Sequence, residues 1–260
     1  MEQMDLSRLA GRVAVVTGAA GGLGSAITED LCLSGLKVAA IDTNWEKLQA
    51  LTARLQGSHA SGSGSVHPMQ ADITQEGDLK RTFQTIDREL GAVAAIVNNA
   101  GVAPMRTLGE SDQGVMSRVL DTNVLGLAAA TREAIESMKK HGVSDGVVIN
   151  IGSTVGHAES VSRALLDMFS MPMYIASKHA VIGFNRALRA ELRNQGVSVR
   201  VTDLSPGTVE TPLVDEEYLE RLERRVMQPR DLARMVRFIL STPPHVEIVH
   251  LTVQPAGEVW

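Results

Sequence analysis

The chain is poor in cysteine and aromatic residues, and it has no long hydrophobic run. Its 260 residues include one cysteine, Cys32. No internal disulfide can form, so a reducing, cytoplasmic setting is expected. Within a helical pattern Cys32 reads as a small packing residue. No stretch approaches the ~20 apolar residues of a membrane span. The opening segment MEQMDLSRLAGR is charged and has no apolar centre, so it does not read as a signal peptide. Basic runs are missing too. The formal net charge is -5, and no Lys/Arg stripe marks a nucleic-acid or anionic-lipid partner. The 7 histidines are scattered without a ligand spacing such as His-x3-His, so no metal is expected.

What is present is a rhythm. The hydrophobic fraction of 44% supports a large core. Apolar runs read as strands at Val13 to Val16, Lys37 to Ile41, Val66 to Gln70, Val93 to Val97, Val147 to Ile151, Val197 to Leu204 and Ile248 to Val253. Helical periods lie between them: Gly22 to Ser34, Trp45 to Leu55, about Glu76 to Leu90, about Asp112 to Lys140, and Met173 to Asn194. Continuous Val/Ile/Ala strands alternating with helices predict an α/β fold, with a doubly wound, parallel, seven-stranded sheet and helices on both faces. No boundary divides the chain, so residues 1–260 are expected to form one domain. The stretches 153–173 and 209–228 break the rhythm and read as substrate loops.

The first strand is followed by Thr17-Gly18-Ala19-Ala20-Gly21-Gly22-Leu23-Gly24. A glycine turn between strand and helix lets the backbone approach a pyrophosphate, which the helix N-terminus then faces with free N–H groups. Taken alone, such a turn is also compatible with a purely structural role. Asp42 closes the second strand. A carboxylate there accepts from adenosine ribose hydroxyls and repels the extra phosphate of NADP, and no Lys or Arg directly follows it. The reading favours NAD, with a helix cap or turn as the bland alternative for Asp42.

Tyr174 and Lys178 lie one turn apart at the start of the helix from Met173. Tyrosine's unperturbed pKa is about 10, and a nearby ammonium would stabilise tyrosinate as a base. Ser153 follows the fifth strand, at the carboxyl edge where parallel sheets bind ligands. His157 lies close by as a loop hydrogen-bonder or a substrate contact. In isolation, Asn123 reads as a polar residue bending its helix, Asn98-Asn99 as a turn, and Asp72 as a cap.

Taken in order, the motifs TGAAGGLG, Ala71-Asp72-Ile73, Asn98-Asn99-Ala100-Gly101, Asn123, Ser153, YIASK and Pro206-Gly207 resemble those of the short-chain dehydrogenase/reductase family, over about residues 9 to 257. The resemblance implies a Rossmann-type domain and an NAD-dependent oxidoreductase. It implies that Tyr174 is the acid/base, that Ser153 orients the substrate oxygen, and that Lys178 binds the nicotinamide ribose. It gives Asn123 a water in a proton relay. Gly18, Gly22, Leu23, Gly24, Asp42, Asp72, Ile73, Asn99, Tyr174, Lys178, Val209 and Thr211 would line the cofactor. It further implies a homodimer or homotetramer. Arg132-Glu133-Ala134, Gly156-His157, the run from Ser205 to Thr211 and the run from Leu240 to Val246 are similar to an animal branch of farnesol dehydrogenases and a mammalian steroid/ketone reductase. Two features depart from that branch. Asp42 stands where a basic residue is common, and Ser153 and Tyr174 are separated by an enlarged loop. An apolar alcohol or ketone is the expected substrate, with Met168, Phe169 or Met171 lining its site. A non-catalytic dinucleotide-binding regulator and a sugar-nucleotide epimerase are the competing functions. The Asn-Ser-Tyr-Lys set argues against the first, and the Pro206-Gly207 context against the second.

Overall fold

The computed structural model describes residues 4–56, 64–104, 106–157, 171–214, 219–220 and 225–256. The chain alternates strand and helix: β1 Val13–Thr17, α1 Gly22–Leu33, β2 Lys37–Asp42, α2 Trp45–Gln56, β3 Ser65–Gln70, α3 Glu76–Glu89 and β4 Val93–Asn98. Next come α4 Gln113–Leu120, α5 Leu127–Lys140, β5 Gly146–Ile151, α6 Pro172–Asn194, β6 Val199–Pro206, α7 Pro229–Ser241 and β7 His250–Val253. The seven strands form one sheet in the order β3-β2-β1-β4-β5-β6-β7, and every pairing is parallel. The order reverses between β1 and β4. A crevice opens there at the carboxyl ends of the strands, where doubly wound sheets hold their ligands.

Side-chain alternation divides the core into two layers. On β1, Ala14 and Val16 pack with α1, α2 and α7 through Leu31, Leu48 and Val236. Val13 and Val15 face the other way, toward α3, α5 and α6 through Phe83, Ala134 and Leu192. A strand buried on both faces carries apolar residues at every position, as β1 does. Pro68 is tolerated in β3 because β3 is an edge strand.

Two elements differ from the sequence reading. The long helix expected over Asp112 to Lys140 is α4 and α5 joined by a π-helical turn, Asp121–Gly126, centred near Asn123. Helix α7 was not expected, yet Leu232, Val236, Ile239 and Leu240 give it a buried stripe at helical spacing. Of the two expected loops, residues 158–170, with Met168 and Phe169, lie outside the described residues. In the second, Val209 bridges Met227, and the backbone of 208–210 is hydrogen-bonded to Met227.

A polar network closes the amino edge of the sheet. Asp145 accepts from Arg12 at 2.7 Å and from Arg8 at 3.1 Å, and Arg8 also donates to the Thr242 carbonyl at 3.0 Å. Arg200 donates to the Val246 carbonyl at 2.9 Å. These contacts sit at the pole opposite the crevice.

Candidate active site

The crevice is a cavity of about 700 Å³. Its floor is the glycine turn. Gly18 has φ +64°, a conformation that side chains disfavour, and a Cβ there would meet Ala100 Cα at 2.8 Å. A Cβ on Gly24 would lie 2.0 Å from the Gly18 carbonyl oxygen. Thr17 braces the turn by accepting from the Asn99 and Ala100 N–H groups, each at 3.1 Å. Asn99 donates to the Thr17 and Gly18 carbonyls at 3.0 and 3.1 Å. Gly21 caps α1 without a side chain, so the helix's first turn faces the cavity bare. Exposed N–H groups and a positive dipole end fit a pyrophosphate. On these grounds the residues present suit a dinucleotide.

Gly18, Gly22, Leu23, Gly24, Asp42, Asp72, Ile73 and Asn99 all line this cavity. Asp42 is also tied to the turn, because its Oδ2 accepts from the Ala20 N–H at 3.0 Å and its Oδ1 from the Asn44 N–H at 2.9 Å. Asp72 Oδ1 accepts from the backbone N–H and the hydroxyl of Thr74, so it holds its own turn as well. Lys47, in the first turn of α2, and Arg118, on α4, line the cavity too. Sequence reading missed both cations, since neither lies beside a motif.

Ser153, Tyr174 and Lys178 meet at the other end of the cavity, with Val209 and Thr211 on its wall. Lys178 is buried, and its Nζ donates to the Ile151 carbonyl at 2.8 Å. That nitrogen lies 5.5 Å from the centre of the Tyr174 ring. Burial pushes the Tyr174 phenol up to about 12, opposed by its hydrogen bond with Ser153. Burial also brings Lys178 down to about 8, opposed by the charge of Asp203. The sequence reading expected the ammonium to lower the tyrosine. In the free protein, desolvation is the larger influence on the phenol, and the Ser153 hydrogen bond opposes it.

Asn123 stands apart from the cavity wall. Its Nδ2 donates to the Val102 carbonyl at 2.9 Å and to Ser177 Oγ at 3.0 Å, while Oδ1 accepts from the Val102 N–H at 2.8 Å. Its side chain therefore joins the π turn, the Asn99–Val102 loop and α6. His157 also turns away from the cavity. It reaches Ser205 Oγ at 3.1 Å and stacks on His250 with ring centres 4.3 Å apart. Burial and the neighbouring His250 lower its pKa, opposed by Asp203. Met171 lines the cavity, as Tyr174 does.

Comparison with known proteins identifies the family. The family model for short chain dehydrogenase matches residues 12–221. A farnesol dehydrogenase of Aedes aegypti is 39% identical over 254 residues, covering 97% of this chain and 99% of that protein. The human protein named dehydrogenase/reductase SDR family member 11 is 33% identical and is covered in full, as is this chain. Among solved structures, a serine dehydrogenase complexed with NADP+ superposes with a TM-score of 0.81 at 29% identity, covering 95% of this chain and 96% of that one. Among the described residues, no helix is long and apolar enough to cross a membrane.

Proposed function

This chain belongs to the short chain dehydrogenase family and is an oxidoreductase of that family, and from that premise we propose that it transfers hydride between NAD and an apolar alcohol or ketone. The observation that carries the reading is one cavity with Asp42 and the glycine turn at one end and Ser153, Tyr174 and Lys178 at the other. A dinucleotide bound there supplies the hydride acceptor or donor. The chain's own residues do the rest. Ser153 holds the substrate oxygen, and Tyr174 takes the hydroxyl proton in oxidation or returns it in reduction. Lys178 holds the ribose, and its positive charge favours tyrosinate. Asn123 fixes the start of α6 through Ser177, which donates to the Tyr174 carbonyl at 2.7 Å. Residues 1–260 work as one nucleotide-binding domain, with 153–173 and 209–228 as substrate loops.

Val155, Met171, Leu213 and Val214 give the catalytic end an apolar lining. This supports an isoprenoid alcohol, a steroid or another apolar secondary alcohol as substrate, and a similar protein is named farnesol dehydrogenase. The Asp42 carboxylate supports NAD. Lys47 in the same cavity, and NADP+ in the similar serine dehydrogenase, favour the other cofactor. The test is an alcohol and ketone panel run with both. NAD-linked turnover of apolar alcohols is expected, with NADH bound far more tightly than NADPH and the gap narrowed in Asp42→Ala. Equal affinity of the wild type for NADH and NADPH would overturn the cofactor assignment. Absence of turnover across the panel would leave a dinucleotide-binding regulator.

A further inference from the structure

Behind the strand that delivers Ser153, outside the cavity, three side chains with ligand atoms converge. His157 follows the short 3-10 turn Thr154–Gly156, Asp203 lies in β6, and His250 opens β7. Asp203 and His250 are register partners in the parallel pair, so they share one face of the sheet. The Nε2 atoms of His157 and His250 stand 3.4 and 3.6 Å from the same Asp203 Oδ2, and all three ligand atoms lie within 4.8 Å of one another.

Those separations decide between two chemistries. Charge-assisted hydrogen bonds close to roughly 2.7–2.9 Å, and neither contact does. Nitrogen and oxygen ligands at about 2.0–2.1 Å around a tetrahedral zinc ion stand roughly 3.3–3.4 Å from one another, close to the two His–Asp203 separations, while the two histidine ligand atoms lie within 4.8 Å of each other and would close further as the rings turn. A second observation is independent of the spacing. Asp203 is 3% exposed, and its Oδ1 has no hydrogen-bond partner among the described residues. That oxygen lies against Gly152, whereas the histidines face Oδ2, so a cation held at Oδ2 would neutralise the buried carboxylate as a whole rather than partner Oδ1 itself. Room for the carboxylate is built in. A Cβ on Gly152 would lie 2.3 Å from Asp203 Oδ1, so only glycine fits there. The side chain of His250 is 41% exposed and opens a path from solvent.

We propose that His157, Asp203 and His250 form a binding site for a divalent transition metal, with zinc the best fit and water in the fourth position. Ser205 Oγ already donates to Asp203 Oδ2 at 2.9 Å and would orient the carboxylate. On binding, the two ring nitrogens exchange the Ser205 and Thr252 hydroxyls, now at 3.1 and 2.7 Å, for the ion. The stacked imidazoles must turn until each ring plane contains it. The ion would then tie the loop after Ser153 to β6 and β7. Sequence reading had no access to this cluster, because its members come from three distant segments and show no local ligand spacing.

The test uses the full chain freed of metal with a chelator. Cobalt is titrated and followed by its visible absorption, zinc is used to displace it, and thermal melting is recorded with and without zinc. One cobalt per chain at micromolar metal is expected. Zinc should raise the melting temperature of the wild type, and His250→Ala should bind at least about tenfold more weakly and lose the zinc-dependent rise. His250→Gln serves if the alanine variant does not fold. No uptake by the wild type at micromolar metal overturns the proposal, and so does undiminished uptake by the folded variant. NADH affinity, measured alongside and expected unchanged in the His250 variants, keeps this result separate from the dehydrogenase reading.

Discussion

Tyr174 and Lys178 sit one helical turn apart in an interior that penalises charge on either of them. With the phenol at about 12 in the free protein, tyrosinate is scarce near neutrality. A cation brought beside the phenol favours the charged form and lowers that value. At alkaline pH a little below the free phenol's value, Tyr174 should therefore shed its proton when oxidised dinucleotide binds, and not when reduced dinucleotide binds. Calorimetry in buffers of different ionisation enthalpy reads this release directly. Tyr174→Phe should abolish it and cut kcat by about 10²–10⁴-fold, while NADH affinity stays within a few-fold of wild type. A folded variant retaining more than about a tenth of the turnover would place the acid/base elsewhere. His157 is a poor substitute, since the structure turns it toward Asp203 and Ser205.

At the scale of elements, the glycine turn works by lacking side chains where backbone meets backbone. Gly24→Ala puts a carbon 2.0 Å from the Gly18 carbonyl oxygen and 2.8 Å from Asn99 Nδ2, so the turn must open. NADH affinity should fall at least about tenfold. Gly109→Ala meets nothing within 4 Å and should bind as wild type does. Equal binding by the two variants in a fluorescence titration would show that the turn does not hold the pyrophosphate. This element was legible in the sequence because its requirements are local: strand, glycines, helix. The seven strands were legible for the same reason, through apolar runs that dihedral alternation sorts onto two faces. Other features were not. A bend at Asn123 is read from the sequence and a π turn lies there, but the Val102 loop that Asn123 ties to α6 is not visible in a one-dimensional pattern. In the free protein the tyrosine is raised rather than lowered, because spacing reveals a neighbouring charge but not the desolvation that acts on the phenol before a cofactor binds. On α6, Ala176, Ala180, Ala187 and Leu188 fall at helical spacing in the sequence, but Leu188 is buried in the core whereas the three alanines are exposed.

At the scale of the whole molecule, α6 carries those exposed alanines and packs against α4 and the π turn, on which Leu120 and Leu125 are 37% and 62% exposed. Small residues permit close helix approach, and exposed leucines supply apolar area, so this face should pair with a second copy. Light scattering should give a dimer or tetramer mass, and a monomer mass across micromolar concentrations would refute it. The two poles of the sheet carry different duties. Asp145, Arg8, Arg12 and Arg200 lock the amino edge through contacts away from the cavity, while the groups that line the cavity sit toward the carboxyl edge, on strand ends, turns and helices. A lineage descending from such an ancestor can therefore drift in its diet. On the proposed reading, exchanges in the rim around Met171 and Leu213 should change which substrate is accepted while the far pole keeps the fold intact.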